Sequence, residues 1–464
     1  MLRLKLTYYH TGVLVLTQVF ALLAYLGANI VNVGEMGVAL PVLAAYMGIS
    51  ALIFAMLWFQ QHLLIAIHFC IFLLLVLWIA VRVVIDLGDL EQLKAMTVAT
   101  TGGILLFYLL GAFFGVSYFH ISKYPKYTIV CSLVVLFFGG LMCFVLSNLL
   151  PRLREDIFYI ASANSAHQRP GNFLSISFII VSAILLELSC GQAGCKSKAL
   201  KLFFWIAVYS ASAVTALVIA QLIGSNSATA VVGGIFILTL MCLLLMRSRW
   251  LHQNYADGKL ALPLSKRVLQ AAFGFVLIGS MMIFLLISGL VKITGFDISS
   301  SRLLGFGAGT NTSLSTRMEI LVETGFDQLS YAPLLGNMNV AFLTTGDAGT
   351  TLHSFFLFVI ANLGMVGLTL ALVLFFIVFR RLFRNARKED YAKGSLEHDL
   401  INLYFICVLL FLLVFANLTV GVTWPVLWFT LGFVSRPFRF ESSMKTASDY
   451  PLPTAMRLPR IPVA

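Results

Sequence analysis

Residues Leu352 to Phe379 read LHSFFLFVIANLGMVGLTLALVLFFIVF, a run of 28 residues without an acidic side chain, lysine or arginine. A helix rises about 1.5 Å per residue, so about twenty apolar residues cross a hydrocarbon core roughly 30 Å thick. Directly after it comes Arg380-Arg-Leu-Phe-Arg-Asn-Ala-Arg-Lys388. An apolar run that stops at a basic cluster reads as a spanning helix ending on the cytoplasmic side. This stretch therefore assigns an all-α, membrane-embedded fold.

The same pattern recurs along the chain. Spans are predicted at Tyr8 to Val31, Met36 to Phe59, Leu63 to Ile85, Ala95 to Phe119, Tyr127 to Leu150 and Phe173 to Cys190. They continue at Leu202 to Leu222, Ala228 to Met246, Val268 to Val291, Leu352 to Phe379, Leu400 to Val422 and Thr423 to Ser435. The last is short for a span and carries Pro425 near its start. Residues 1–440 form one transmembrane domain of about twelve helices, and 441–464 a cytoplasmic tail. Met1-Leu-Arg-Leu-Lys5 precedes more than twenty apolar residues, which is too long for a cleaved signal and reads as a retained anchor. Composition agrees: of 464 residues 60% are hydrophobic and 11% charged, with mean hydropathy +0.96. A soluble domain could not bury so much apolar surface.

With the N-terminus inside, alternate loops place 23 of the 31 Lys and Arg in the cytoplasm and 8 outside. Both termini are then cytoplasmic, in a bacterial inner membrane. Acidic residues run the other way, with Asp86, Glu155, Asp156, Glu319, Glu323, Asp327 and Asp347 among those outside. The formal charge of +12 is spread between apolar runs, which argues against a nucleic-acid partner. None of the seven cysteines lies in an outward loop, so no disulfide framework is expected. Two outward loops are long: 151–172, and 292–351 between the ninth and tenth helices. The second carries Tyr331, Leu334, Leu335, Val340 and Phe342, so partial helix packed over the membrane face is expected.

Candidate chemistry lies in those loops. Six of the eight outward basic residues are arginines: Arg82, Arg152, Arg154, Arg169, Arg302 and Arg317. A guanidinium offers a fixed fork of donors that matches phosphate oxygens and keeps its charge near lipid. The set suits a lipid-linked pyrophosphate; ion pairing with headgroups or with Glu155, Asp156 and Glu319 is the plainer reading. His353 stands at the start of the tenth helix, where a neutral imidazole could take a proton from a sugar hydroxyl or could simply cap the helix beside Ser354.

Five elements in order carry a resemblance: Ser315-Thr-Arg317-Met-Glu-Ile-Leu, Tyr331-Ala-Pro-Leu-Leu-Gly336-Asn-Met, Thr344-Thr-Gly-Asp-Ala-Gly, His353-Ser-Phe-Phe-Leu and Leu363-Gly-Met-Val-Gly367. With Gln168-Arg169-Pro-Gly-Asn172 before the sixth helix, they resemble the O-antigen polymerase and ligase superfamily. The resemblance covers about sixty residues specifically. It implies an enzyme that takes a glycan from undecaprenyl pyrophosphate at the periplasmic face and uses no nucleotide sugar; no cofactor and no metal are expected. It implies that Arg169 and Arg317 bind the diphosphate and that His353 orients or deprotonates the acceptor hydroxyl. Many relatives have Ser-Arg after the seventh helix, where this chain reads Gly224-Ser-Asn226-Ser. Asn226 supplies no charge, so another arginine such as Arg82 or Arg152 takes its place or the donor is held differently.

Other signals carry less. Gly305-Phe-Gly-Ala-Gly309 lacks the strand-then-helix context of a phosphate loop and reads as flexible. No Asp-x-Asp occurs in an outward loop, and Glu155-Asp156 is the nearest carboxylate pair, which weakens a metal-dependent mechanism. The expected function is polymerisation of lipid-linked repeat units of O-antigen or exopolysaccharide, with a chain-length regulator as a possible partner. A ligase to lipid A core and an O-oligosaccharyltransferase share this chemistry and differ in acceptor. A lipid-linked oligosaccharide transporter is the rival from another class, though such proteins show internal repeats and charges at mid-membrane, which this chain does not.

Overall fold

The computed structural model describes residues 63–87, 103–115, 168–190, 209–217, 219–220, 225–253, 319–347, 350–386, 395–417 and 424–440, apart from 348–349. The predicted spans at 8–31, 36–59, 127–150 and 268–291, and the tail 441–464, lie outside these residues. What is described is mostly helical: α1 (Ile67–Leu87), α2 (Gly103–Gly115), α3 (Gln168–Cys190), α4 (209–217) and α5 (Asn226–Gln253). There follow α6 (Gly325–Tyr331), α7 (Val340–Thr345), α8 (Phe355–Ala386), α9 (Ser395–Phe415) and α10 (Pro425–Ser435). Among the described residues two helices are long and apolar enough to cross a membrane, Ile67–Asp86 and Phe355–Arg384, with hydropathies of 2.6 and 2.4.

Two details depart from the sequence expectation. The third span was expected to start at Leu63, but Leu63–Ile65 is a short strand, β1, paired antiparallel with β2 (Phe438–Phe440). The ladder sets Leu63 opposite Phe440 and Ile65 opposite Phe438. It forms because α10 ends in a left-handed turn at Arg436, whose N–H returns to the Gly432 carbonyl, and that turn sends the chain back beside α1. The second departure is α8, expected as one continuous helix and broken at Gly364, where the backbone is non-helical.

The centre of the bundle is α10. Proline at its first turn presets the helical φ, and every residue from Val426 to Ser435 is buried. Such a helix, apolar all round, needs neighbours on every side. Trp428 meets Phe72 of α1 and Phe355 of α8, with ring centroids 5.8 and 6.1 Å apart, and Phe433 meets Phe405 of α9 at 5.7 Å. Backbones touch along α2: a Cβ added at Gly111 would overlap the Phe429 carbonyl, and one at Gly432 the Tyr108 carbonyl. Small residues spaced Gly111-x-x-x-Gly115 permit this approach, as in membrane helix pairs. The far end of α10 is closed by Arg381 of α8, whose Nη1 donates to the Ser435 and Arg436 carbonyls. Hydroxyls tie the outer ring: Ser182 of α3 bonds Tyr209 at 2.8 Å, and Thr239 of α5 bonds Tyr404 of α9 at 3.3 Å.

Replacing Gly432 by Val should therefore cost stability at the upper end of the ~1–3 kcal/mol typical of overpacking, since a backbone oxygen cannot step aside. Gly233, where a Cβ meets nothing within 4 Å, serves as control. Gly233→Ala should stabilise α5 by about 0.5–1 kcal/mol. Thermal unfolding in detergent reads both.

Candidate functional site

Trp78, Arg82 and Asp86 are spaced i, i+4, i+8, so they line one face of the last two turns of α1. Trp78 Nε1 donates to the Leu363 carbonyl at 2.9 Å. Arg82 Nε donates to Asp86 Oδ2 at 2.9 Å, and Nη2 donates both to Asp86 Oδ1 and, at 2.7 Å, to the Gly336 carbonyl. Asp86 Oδ2 also accepts the Met338 N–H at 2.9 Å. The guanidinium lies over the Trp78 ring, 6.0 Å from its centroid. The two charged side chains are 9% and 3% exposed. A buried ion pair survives only when its remaining donors and acceptors are satisfied, and here the loop backbone does that.

The elements so grasped are the two glycine motifs read in the sequence. Gly336 (φ 71°) closes the turn after Pro333, and Gly364 (φ 67°) breaks α8. Both lie in the left-handed region, which a Cβ makes costly. They are also back to back: a Cβ on Gly336 would strike the Gly364 nitrogen, and a Cβ on Gly364 the Gly336 nitrogen and the Leu334 carbonyl. The break frees N–H groups that the turn then uses. Met365 N–H donates to the Pro333 carbonyl at 2.9 Å, Val366 N–H to the Leu334 carbonyl at 3.4 Å, and Asn337 N–H to the Ala361 carbonyl at 3.1 Å.

From this dock the chain runs through α7 to His353. Thr350 and Thr345 share a hydroxyl bond at 2.6 Å, and Gln328 Nε2 of α6 donates to the Thr350 carbonyl at 2.8 Å. His353 Nδ1 lies 2.7 Å from the Thr351 carbonyl. A carbonyl only accepts, so Nδ1 carries a proton, and in a neutral ring the lone pair is then on Nε2. The helix beyond is capped from α9: Asn417 Oδ1 accepts from the Phe356 N–H at 3.0 Å and from Ser354 Oγ at 3.1 Å. That acceptor fills the capping role for which His353 was one candidate in the sequence.

A second approach to this end comes from α3. Arg169 and Pro170 stand in its first turn. Asn172 Oδ1, three residues beyond Arg169, accepts from Trp424 Nε1 at 3.0 Å, and the Trp424 ring meets Phe415 of α9 at 5.2 Å. Phe415 is two residues before the Asn417 that caps α8. Gly171 packs against Ser225, the N-cap of α5, whose Oγ accepts the Ala228 N–H at 3.3 Å. The turn that opens with Ser225 and Asn226 therefore abuts the first turn of α3, which holds Arg169.

Of the residues assigned from sequence, Arg82 and His353 are described with their side chains, and Arg169 by its helix position. Arg152, Arg317, Asn226's side chain, Glu155-Asp156 and Gly305 to Gly309 lie outside what is described. Arg82 was expected to bind the donor pyrophosphate; the contacts it makes are to Asp86 and Gly336, as a latch between α1 and the loop that precedes α8. Sequence reasoning missed Trp78, Asp86, Gln328, Asn417 and the Asn172–Trp424 bridge. For Asp86 the signal was present, four residues after Arg82 on the same helix.

Arg82→Ala and Asp86→Ala should each lower unfolding stability by about 3–5 kcal/mol, because either leaves a buried charge without its partner. The double variant should cost less than the sum of the two. Denaturation of the purified protein measures the cycle.

No protein-family model matches the chain, and a search of the curated proteins finds no match.

Proposed function

We propose that this protein joins lipid-linked glycans at the periplasmic face of a bacterial inner membrane, as a polymerase of undecaprenyl-pyrophosphate-linked repeat units. In this reading it is a metal-independent transferase of about twelve helices with both termini in the cytoplasm. One observation carries it: motifs distant in sequence converge on one end of the bundle. The Tyr331–Gly336 turn sits in the Leu363–Gly367 break, and the Arg169 turn connects to the head of α8 through Asn172, Trp424, Phe415 and Asn417. The direction of the helices supports the topology, since α8 runs antiparallel to α1: Leu363 near the start of α8 meets Trp78 of α1, and Arg381 near its end bonds the Ser435–Arg436 turn, beside which Pro437 accepts the Ala66 N–H just before α1.

The chemistry follows from residue types. The hydroxyl of the incoming unit attacks the anomeric carbon of the growing chain, and the bond from that carbon to the diphosphate oxygen breaks. His353 Nε2 takes the hydroxyl proton; undecaprenyl pyrophosphate leaves with the electron pair. Arg169 and Arg317, with Arg152, hold the diphosphate, where stabilising the departing charge has most effect. Arg82 serves this site by positioning the loop. Membrane embedding is supported by the exposed apolar faces of α1 and α8, including Leu74, Leu77, Leu372 and Phe376, which water would disfavour.

His353→Ala should lower polymerisation about 10²–10⁴-fold, the usual contribution of a general base. Arg317→Ala and Arg169→Ala should each remove long-chain glycan at unchanged protein abundance. The ladder of chain lengths on a gel reads all three, and a normal ladder in any of them removes that residue from the mechanism. Activity should persist in EDTA; strict dependence on a divalent cation would overturn the metal-free reaction.

A further inference from the structure

The turn that docks into the α8 break has an unusual division of labour. Its backbone is turned inward: Pro333 has no N–H to satisfy, and the carbonyls of Pro333, Leu334 and Gly336 all accept bonds from α8 or α1. The N–H groups of Gly336, Asn337 and Met338 are likewise taken, by Ala332, Ala361 and Asp86. Its side chains are turned outward and are apolar, Leu334 being 70% and Leu335 50% exposed. A loop built for water shows the reverse, with polar side chains and solvated peptide groups. Non-helical backbone at membrane depth is tolerated only where the protein itself satisfies it.

The neighbours of the turn extend the same surface. Met365 and Val366, whose N–H groups hold the turn, are exposed and apolar. So are Val84 and Ile85, which lie between Arg82 and Asp86 in sequence and are 76% and 63% exposed. Met365 and Val366 in turn belong to α8, one of the two helices long and apolar enough to cross a membrane, whose exposed face continues through Leu372, Val373 and Phe376. The charged pair that pins the turn, Arg82 with Asp86, is hidden beneath it.

We infer that the Pro333–Gly336 turn is inserted into the hydrocarbon edge of the outer leaflet, its Leu334 and Leu335 side chains covered by lipid acyl chains. The loop is on this view a lipid-facing element of the protein, placed where a membrane-borne substrate has to approach.

The test is site-directed spin labelling of the full-length chain in phosphatidylethanolamine–phosphatidylglycerol vesicles, with native cysteines replaced by serine. Labels at Leu334→Cys and Leu335→Cys should be relaxed by oxygen and protected from a water-soluble nickel chelate, as at Leu372→Cys, with Asp347→Cys showing the opposite. Nickel access at 334 and 335 equal to that at 347 would overturn the inference. Exclusion of both reagents would overturn it too, since a protein surface would then cover the turn. Nickel access at Leu372 as well would remove the membrane reading itself, so the two failures are told apart without any glycan or turnover. Should the cysteine-free chain fail to fold, Leu334→Trp in the native chain gives the same answer through quenching by brominated acyl chains; absence of added quenching overturns the inference.

Discussion

Everything at the Gly336 end of this bundle depends on two backbones meeting without side chains between them. Gly336 and Gly364 are in contact through their peptide atoms, and each holds a conformation that a Cβ would strain. The contact exchanges hydrogen bonds as well as surface: a helix gives up its ladder at one residue, and a turn supplies the missing acceptors. Trp78, Arg82 and Asp86 then hold both partners from a third element. Because the Arg82–Asp86 pair is buried, its value lies in register more than in net energy: replacing the pair could cost little, while losing one member exposes the other to an apolar surrounding.

The same economy of side chains operates at the centre. α10 approaches α2 so closely that carbonyl oxygens of one face glycines of the other, and the aromatic rings of α10 fill the space on its remaining sides. In lipid there is no hydrophobic gain from bringing apolar helices together, so close packing and a few internal hydrogen bonds must supply the association. The Ser182–Tyr209 and Thr239–Tyr404 bonds are of that kind.

Much of the architecture was legible in the residues. Apolar runs located α1, α3, α5, α8 and α9, with ends off by up to seven residues, because apolar burial demands such runs. Val426 to Val434 is apolar enough for a helix enclosed on all sides, but in the sequence it reads only as a short span that opens on Pro425. The break at Gly364 was hidden, since glycine is common in membrane helices and a run of 28 residues shows no change of composition there. The β1–β2 ladder was hidden for a different reason: three residues a side leave no periodicity, and Leu63-Leu-Ile65 reads equally well as the first turn of a helix. Arg82 was legible as an important outward arginine, but its partner was not weighed, and an i, i+4 carboxylate is the first competitor any anion would meet.

The order in which the chain is made gives the ladder a further meaning. β1 is made before the described helices, and its partner β2 follows only after α10. Until then the surrounding helices lack α10, whose residues from Val426 to Ser435 are all buried and meet α1, α2, α8 and α9. A nascent chain cut short before Pro425 would therefore be missing its centre rather than an edge. Pairing of Phe438–Phe440 with Leu63–Ile65 then joins, by one small seam, the strand that precedes α1 to the strand that follows α10.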